Sequence, residues 1–129
     1  MGFARDVQRF INKAKLRTEK YYRKIAFQLL TDIVDGTPFL TGVLKANWQV
    51  AINGQLSSAQ LPAGSSSGAE PLAAGQQILG RVKVKDSITI YNNMVYARPV
   101  EEGLGPGARI PRRMVANAIE LLKRDIGNL

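Results

Sequence analysis

Residues 37–50 read TPFLTGVLKANWQV and hold the only tryptophan of the chain, Trp48. Pro38 and Gly42 interrupt regular structure ahead of it, and Thr41 is placed to cap one short helical turn. The NWQVAIN stretch that follows alternates in the manner of a half-buried strand. The stretch therefore predicts a turn between a helix and a first strand, with the large indole of Trp48 packed on that helix.

Upstream of this turn, residues 3–34 contain no glycine or proline, and their apolar residues recur with a helical period. This pattern predicts a long helix over 1–35. About 32 residues at ~1.5 Å each make a rod of ~48 Å, whereas a compact domain of this size is ~36 Å across. We therefore expect either a break near 16–18 or a second subunit over part of the apolar face, and we favour the second.

Basic residues form a stripe beside the apolar face of the predicted helix. Its members are Arg5, Arg9, Lys13, Arg17, Lys20, Arg23 and Lys24. Long helices often carry solvated Lys and Arg side chains that bind no ligand, so two interpretations stay open. The stripe is either a solvated face or a surface that contacts a ligand. In the second interpretation the stripe faces nucleic acid or an acidic protein surface.

Downstream of the first strand, the pattern changes three times. Residues 54–76 are rich in Ser, Gly, Ala and Pro and predict a long flexible loop. The stretches ILGRVKVK and SITIYN predict a hairpin whose outward face carries Arg81, Lys83 and Lys85. A final helix is expected over 112–127. The chain is thus predicted to be one α+β domain, 1–129, with a long N-terminal helix and a C-terminal helix packed on one face of a small antiparallel sheet.

Composition limits the chemistry of the chain. It has no cysteine and no histidine, which excludes disulfides, the usual zinc ligand sets, thiol nucleophiles and the commonest general base. We assign no catalytic residue, no metal ligand and no cofactor, and we expect no enzyme. Eighteen Lys and Arg against ten Asp and Glu give a net charge of +8, so a partner of opposite charge is expected. No apolar run is long enough for a membrane span, and no membrane partner is expected.

Two further features resemble functional motifs only superficially. Glu101 and Glu102 are adjacent, so their side chains point apart on a helix or a strand and do not form an acid–base pair. GLGPG lacks the Gly-Lys-Ser/Thr ending of a phosphate loop. No helix-turn-helix, zinc-finger or ribonucleoprotein signature is present, so readout of base sequence is not expected.

Three segments together resemble one family. TPFLTGVLKANWQV, NNMVYARPVEEG and PRRMVANAIELL are similar, in order and approximate spacing, to the patterns of small bacteriophage neck and tail-completion proteins. The resemblance covers residues 37–122. The residues that carry the first two patterns are Thr37, Pro38, Thr41, Gly42, Leu44, Trp48, Asn92, Asn93, Tyr96, Ala97, Glu101 and Gly103.

This resemblance implies a structural protein of the virion, with no enzymatic activity. It implies a ring of copies of the chain, sixfold or twelvefold, at the head–tail junction or the top of the tail. Neighbouring neck, tail-terminator or tail-tube proteins are the implied partners, with genome DNA in the lumen bound without sequence specificity. The chain is then expected to be assembled in the bacterial host cytoplasm and to reside in the virion. The alternative that stays open is a sequence-nonspecific nucleic-acid-binding protein.

Overall fold

A computed structural model of the chain describes residues 3–6, 19–38, 42–61, 63–83, 85–95, 97–103 and 112–127. Helices and strands are interspersed along these ranges. In chain order they are β1 (Phe3–Asp6), α1 (Glu19–Asp35), α2 (Val43–Ala46), β2 (Trp48–Ile52), α3 (Ala69–Leu79), β3 (Ile88–Asn92), α4 (Ala97–Glu102) and α5 (Met114–Gly127).

The strands form one antiparallel sheet in the order β1–β3–β2, so the last strand in sequence lies in the middle. β2 pairs with β3 from Trp48 opposite Asn92 to Ile52 opposite Ile88. β1 pairs with the other side of β3 over Phe3–Asp6. Because residues opposite each other share a face, alternate residues of β2 and β3 form one apolar face.

One hydrophobic core lies between this sheet face and the helices. Strand residues Trp48, Val50, Ile88 and Ile90 are all buried in it. The buried residues of α1 recur three and four apart, as a single helix face requires. They are Tyr22, Ile25, Ala26, Leu29, Leu30, Ile33 and Val34, and α5 adds Met114, Val115, Ala118 and Leu122. The predicted α+β class, with helices packed against a small antiparallel sheet, is confirmed.

The helix predicted from Phe3 onward is wrong at its start, because Phe3–Asp6 pair with β3 as a strand. A stretch of only four residues fits a helical period as well as a strand period. The pairing of Phe3–Asp6 with β3 makes this stretch a strand. α1 runs over 17 residues, or ~26 Å, which is shorter than the domain. Its apolar face is buried within the chain. The helix length therefore gives no reason to place a second subunit over it. Residues 7–18 of the expected helix lie outside the described residues.

The flexible loop expected over 54–76 is wrong from residue 69 onward, where α3 begins. Pro71, Gly75 and Leu79 form its buried side, four residues apart. Proline and glycine indicate breaks in a sequence pattern, but Pro71 is tolerated in the first turn and Gly75 allows close packing. The first strand of the predicted hairpin is also wrong, because Ile78 and Leu79 belong to α3.

The close packing between the start of α3 and α1 can be tested at Gly68. Gly54, which also has positive φ but has open space around it, is the control. Gly68, just before α3, has φ 81°, and a Cβ built there would lie 2.5 Å from Cγ1 of the buried Val34. Gly54 has φ 73°, with no atom within 4 Å of such a Cβ. We expect Gly54→Ala to lower the free energy of unfolding by about 1 kcal/mol through backbone strain alone, and Gly68→Ala by about 3 kcal/mol. Urea unfolding measures both. Equal losses would show that α3 is not packed against Val34.

Candidate functional site

The first motif segment is held by a buried hydrogen-bond relay between α1 and β2. The indole Nε1 of Trp48 donates to Oγ1 of Thr37 at 2.8 Å. The Thr37 hydroxyl donates in turn to the carbonyl of Ile33, at 2.7 Å, in the last turns of α1. Both side chains are buried. A buried indole N–H needs an acceptor, and the threonine just after the helix supplies it. The relay fixes the start of β2 to the end of α1.

Between these two residues the chain turns at Gly42, whose φ of 79° is the left-handed conformation that favours glycine. It precedes α2, on which Leu44 is buried. Pro38 lies half-buried just after α1. The cap expected from Thr41 falls outside the described residues.

The second motif segment is tied to the first through asparagine side chains. Asn92 is fully buried and donates from Nδ2 to the carbonyl of Leu44 at 2.9 Å. Asn93 donates to the carbonyls of Ser57 at 2.7 Å and Ala59 at 2.9 Å. The two adjacent asparagines therefore hold different elements, Asn92 the short helix α2 and Asn93 the segment that follows β2.

Asn47, which sequence reasoning missed, belongs to the same network. Its Nδ2 donates to the carbonyls of Val43 at 2.8 Å and Leu61 at 2.9 Å. Its Oδ1 accepts from the amide of Leu61 at 2.7 Å. Asparagine is common in turns, where its side chain forms hydrogen bonds to nearby backbone groups. The position of Asn47 between a short apolar stretch and a predicted strand could therefore have indicated this role. Asn47 anchors the segment 55–61 to the core.

The third connection joins the second motif segment to α5. Glu101 is 8% exposed, and its carboxylate accepts from the amides of Val115 at 3.0 Å and Ala116 at 3.1 Å. These amides belong to the first turn of α5, where no intrahelical acceptor exists. Glu102 next to it is exposed and lies 3.7 Å from Arg98. The two glutamates point apart, and Glu101 is a helix cap.

The remaining motif residues either have structural positions or lie outside the described ranges. Ala97 is buried at the start of α4, and Gly103 has φ 73° just after it ends. Tyr96 lies outside the described residues. The described motif residues thus build contacts among α1, α2, β2, β3, α4 and α5.

Five of the predicted basic residues lie exposed at one end of the domain, here called the basic end: Lys20, Lys24, Arg81, Lys83 and Lys85. The first two belong to α1 and the others to the connection between α3 and β3. Arg23 brings these parts together, because its Nε and Nη2 donate to the carbonyl of Val82 at 3.1 and 2.9 Å. The hydroxyl of Tyr22 also donates to the carbonyl of Asp86. Arg9, Lys13 and Arg17 lie outside the described residues, and Arg5 is part of β1.

One acidic residue organises the connection that carries the basic end. The carboxylate of Asp86 accepts from the amide of Lys83 at 2.8 Å and from Nδ2 of Asn53 at 3.1 Å. These hydrogen bonds, the Lys83 amide first, lower the pKa of Asp86, and the charges of Lys85 and Lys83 lower it further. The carboxylate shapes this turn while three cations stay exposed around it.

The lowered pKa of Asp86 predicts an acid limb in the stability of the fold. A carboxyl group with a lower pKa in the folded chain stabilises the fold above its unfolded pKa, and this contribution is lost as pH falls toward the folded value. The melting temperature should therefore fall between about pH 5 and pH 2 less steeply for Asp86→Asn than for the wild type. Thermal melts across this range test the difference. Parallel curves would contradict a stabilising role for the charge.

Within the described residues, no group of three or more Asp or Glu side chains is arranged to hold a metal ion. No helix in the same ranges is long and apolar enough to cross a membrane. Comparison of the chain with protein-family models, with curated proteins and with solved structures finds no match in any of the three.

Proposed function

We propose that the chain is a structural protein of a bacteriophage virion that forms a ring at the head–tail junction or at the top of the tail. One observation carries this proposal: the three segments of the resemblance are used together as a scaffold. Thr37 bonds to Trp48, Asn92 to α2, and Glu101 to the start of α5. Residues of all three segments thus hold one element of the fold against another.

The ring does not rest on the length of the first helix, since α1 is covered within the chain. It rests on the resemblance and on the five exposed cations of the basic end. A virion ring meets DNA on its inner surface, and exposed cations without base-reading elements suit contact with phosphates of any sequence. We place the basic end toward the lumen. Neck, tail-terminator or tail-tube proteins are the neighbours above and below.

Electron microscopy of intact virions that carry a tagged copy of the chain tests this function. The proposal predicts a closed ring of tag density at the head–tail junction or the tail top. Virions without the tag, or tag scattered over the capsid, would contradict it. A tag attached at the exposed α5 residue Lys123, which does not belong to the basic end, serves as the reporter.

A second candidate function, sequence-nonspecific nucleic-acid binding by the free protein, is supported by the basic end. If the isolated chain binds duplex DNA tightly, with an affinity that falls steeply with salt, this function is favoured over the ring component. A ring component should bind weakly as a monomer, because each copy meets few phosphates.

In either case the basic end is expected to bind the DNA. Replacing Arg81, Lys83 and Lys85 together by glutamine should reduce the slope of log Kd against log salt by about 0.9 for each phosphate that the variant no longer neutralises. A matched control replaces Arg112, Lys123 and Arg124, which are exposed beside or on α5, so the net charge changes equally. Fluorescence anisotropy on a random-sequence duplex measures both. Equal effects would show that net charge alone acts.

A further inference from the structure

Asn53 and Gly54 are the two central residues of a tight turn directly after β2. Across this turn the carbonyl of Ile52 accepts from the amide of Gln55 at 3.3 Å. Asn53 has φ 54° and Gly54 has φ 73°, and positive φ at both central residues is the pattern of a type I′ turn. Both residues are exposed. Among the asparagines of the chain, Asn53 alone is followed by glycine. An exposed Asn-Gly pair is a place where a side-chain amide can react with the backbone that follows it.

The reaction open to this pair is the loss of ammonia from the Asn53 side chain. The backbone nitrogen of Gly54 forms a bond to Cγ of Asn53, and water carries its proton to the departing amino group. The bond between Cγ and Nδ2 breaks and releases ammonia, which leaves a five-membered imide. Water then opens the imide at one of its two carbonyls, giving aspartate or isoaspartate at position 53. Water is the only co-reactant, and the attack is intramolecular because the two groups belong to adjacent residues.

The structure assists the attack at both reacting atoms. A Cβ built on Gly54 would meet no atom within 4 Å, so the space around this peptide is open. Within the described residues, no backbone carbonyl accepts from the amide of Gly54. Oδ1 of Asn53 accepts from the amide of Ser87 at 2.9 Å and from its hydroxyl at 3.4 Å. Donors at this oxygen stabilise the negative charge that it gains when Cγ is attacked. The turn therefore combines an accessible nucleophile with a polarised side-chain amide.

One hydrogen bond of the same side chain opposes the reaction. Nδ2 of Asn53 donates to Oδ1 of Asp86 at 3.1 Å and holds the side chain against the start of β3. This bond must break for the side chain to turn toward Gly54 and for Nδ2 to leave as ammonia. The rate of conversion therefore depends on how firmly Asp86 holds the amide.

Conversion would replace this hydrogen bond by a repulsion. Aspartate at position 53 has an oxygen atom in place of Nδ2, which lies 3.1 Å from the Asp86 carboxylate. Two carboxylates at this distance repel one another. Asp86 also accepts from the amide of Lys83 at 2.8 Å and so shapes the turn that carries three cations of the basic end. A second negative charge beside Asp86 therefore loosens this turn and weakens the local positive potential.

We propose that Asn53 is a site of spontaneous deamidation through Gly54, and that its product weakens the basic end by placing a second carboxylate beside Asp86. The modification itself follows from the turn and does not depend on the function proposed above. Its effect on binding rests on the proposed contact between the basic end and DNA.

Incubation of the folded chain in mildly alkaline buffer, followed by peptide mapping with mass spectrometry, tests the site. Aspartate and isoaspartate should accumulate at position 53 faster than at Asn117, which is also exposed but is followed by alanine. Gly54→Ala should slow the conversion at least about tenfold, because a Cβ on the attacking residue hinders the approach. Asp86→Ala should accelerate it about fivefold, since the bond that holds the amide is lost. No product at position 53, or equal rates in the wild type and Gly54→Ala, would overturn the site.

Asn53→Asp reproduces one product and tests its effect. Asn117→Asp on α5 is the matched control, because it lowers the net charge equally. Asn53→Asp should lower the melting temperature by about 5 °C, and Asn117→Asp by no more than about 2 °C. The affinity for a random-sequence duplex should fall at least about threefold more in Asn53→Asp than in the control. Equal melting temperatures and affinities in the two variants would overturn the proposed effect. A wild type that binds no duplex would instead contradict the DNA contact, and the peptide mapping and the melts would still decide the modification site.

Discussion

Replacing Trp48 with alanine is expected to lower the free energy of unfolding by about 4 kcal/mol. The indole is 2% exposed and lies among α1, β2 and β3, so its removal leaves a cavity and takes away the donor to the Thr37 hydroxyl. Small domains are stable by only about 5–15 kcal/mol, so a loss of this size brings the variant close to unfolding at room temperature. Urea unfolding followed by far-UV circular dichroism measures the loss without the tryptophan signal.

Two milder variants separate the area of the indole from its hydrogen bond. Trp48→Phe keeps most of the buried ring but loses the donor, and about 1–2 kcal/mol of destabilisation is expected. Thr37→Val removes the acceptor and leaves the indole N–H buried without a partner, with a similar loss. Both variants break the same hydrogen bond, between Trp48 and Thr37. The double variant should therefore lose less free energy of unfolding than the sum of the two single losses. Additive losses, or a Trp48→Ala loss below about 1 kcal/mol, would contradict the relay.

Replacing Glu101 with alanine is the second large expected effect, a loss of about 3 kcal/mol in the free energy of unfolding. Its carboxylate accepts from two backbone amides of α5 in a buried position, and each charge-assisted bond contributes about 1.5–3 kcal/mol. The positive end of the helix dipole adds to this attraction. Without the carboxylate, two backbone amides in the first turn of α5 lose their hydrogen-bond acceptor and are shielded from water that could replace it.

The adjacent residue supplies the control for this prediction. Glu102 is exposed, and its ion pair with Arg98 is a surface contact, so Glu102→Ala should change stability by no more than about 0.5 kcal/mol. Amide hydrogen exchange provides a local readout, since protection of Val115 and Ala116 should fall in Glu101→Ala only. Similar losses in both variants would show that Glu101 acts as a surface charge and not as a cap of α5.

The stretch 37–50 could be interpreted from sequence because its determinants are local. Pro38 and Gly42 restrict or free single backbone angles, and the alternation of β2 is visible within a few residues. The acceptor of the Trp48 indole could not be predicted, because it depends on where α1 ends relative to β2. Local chemistry therefore predicted the turn, and only the packed structure identified the relay.

The predictions for α3 and β1 were wrong because these elements depend on contacts through small residues or with residues distant in the sequence. α3 contacts α1 through Gly75, whose Cβ, if present, would lie 2.3 Å from Leu30, so its tightest contact carries no hydrophobic signal. β1 is a strand because β3 lies beside it, and β3 is far away in sequence. No pattern within Phe3–Asp6 contains that information.

The residues of the basic end could be predicted from the sequence, but their arrangement in space could not. The cations of α1 and of 81–85 were identified as two separate groups, because the second was assigned to a hairpin. Arg23 joins them through the carbonyl of Val82, a contact that requires the chain after α3 to turn and not to extend.

Native mass spectrometry of the full chain at increasing protein concentration tests most directly whether copies of it close into a ring. We predict a single closed species of one copy number, six or twelve, with few intermediates because cyclic symmetry satisfies every contact only at closure. A monomer at every concentration, or an open-ended series of oligomers, would contradict the ring.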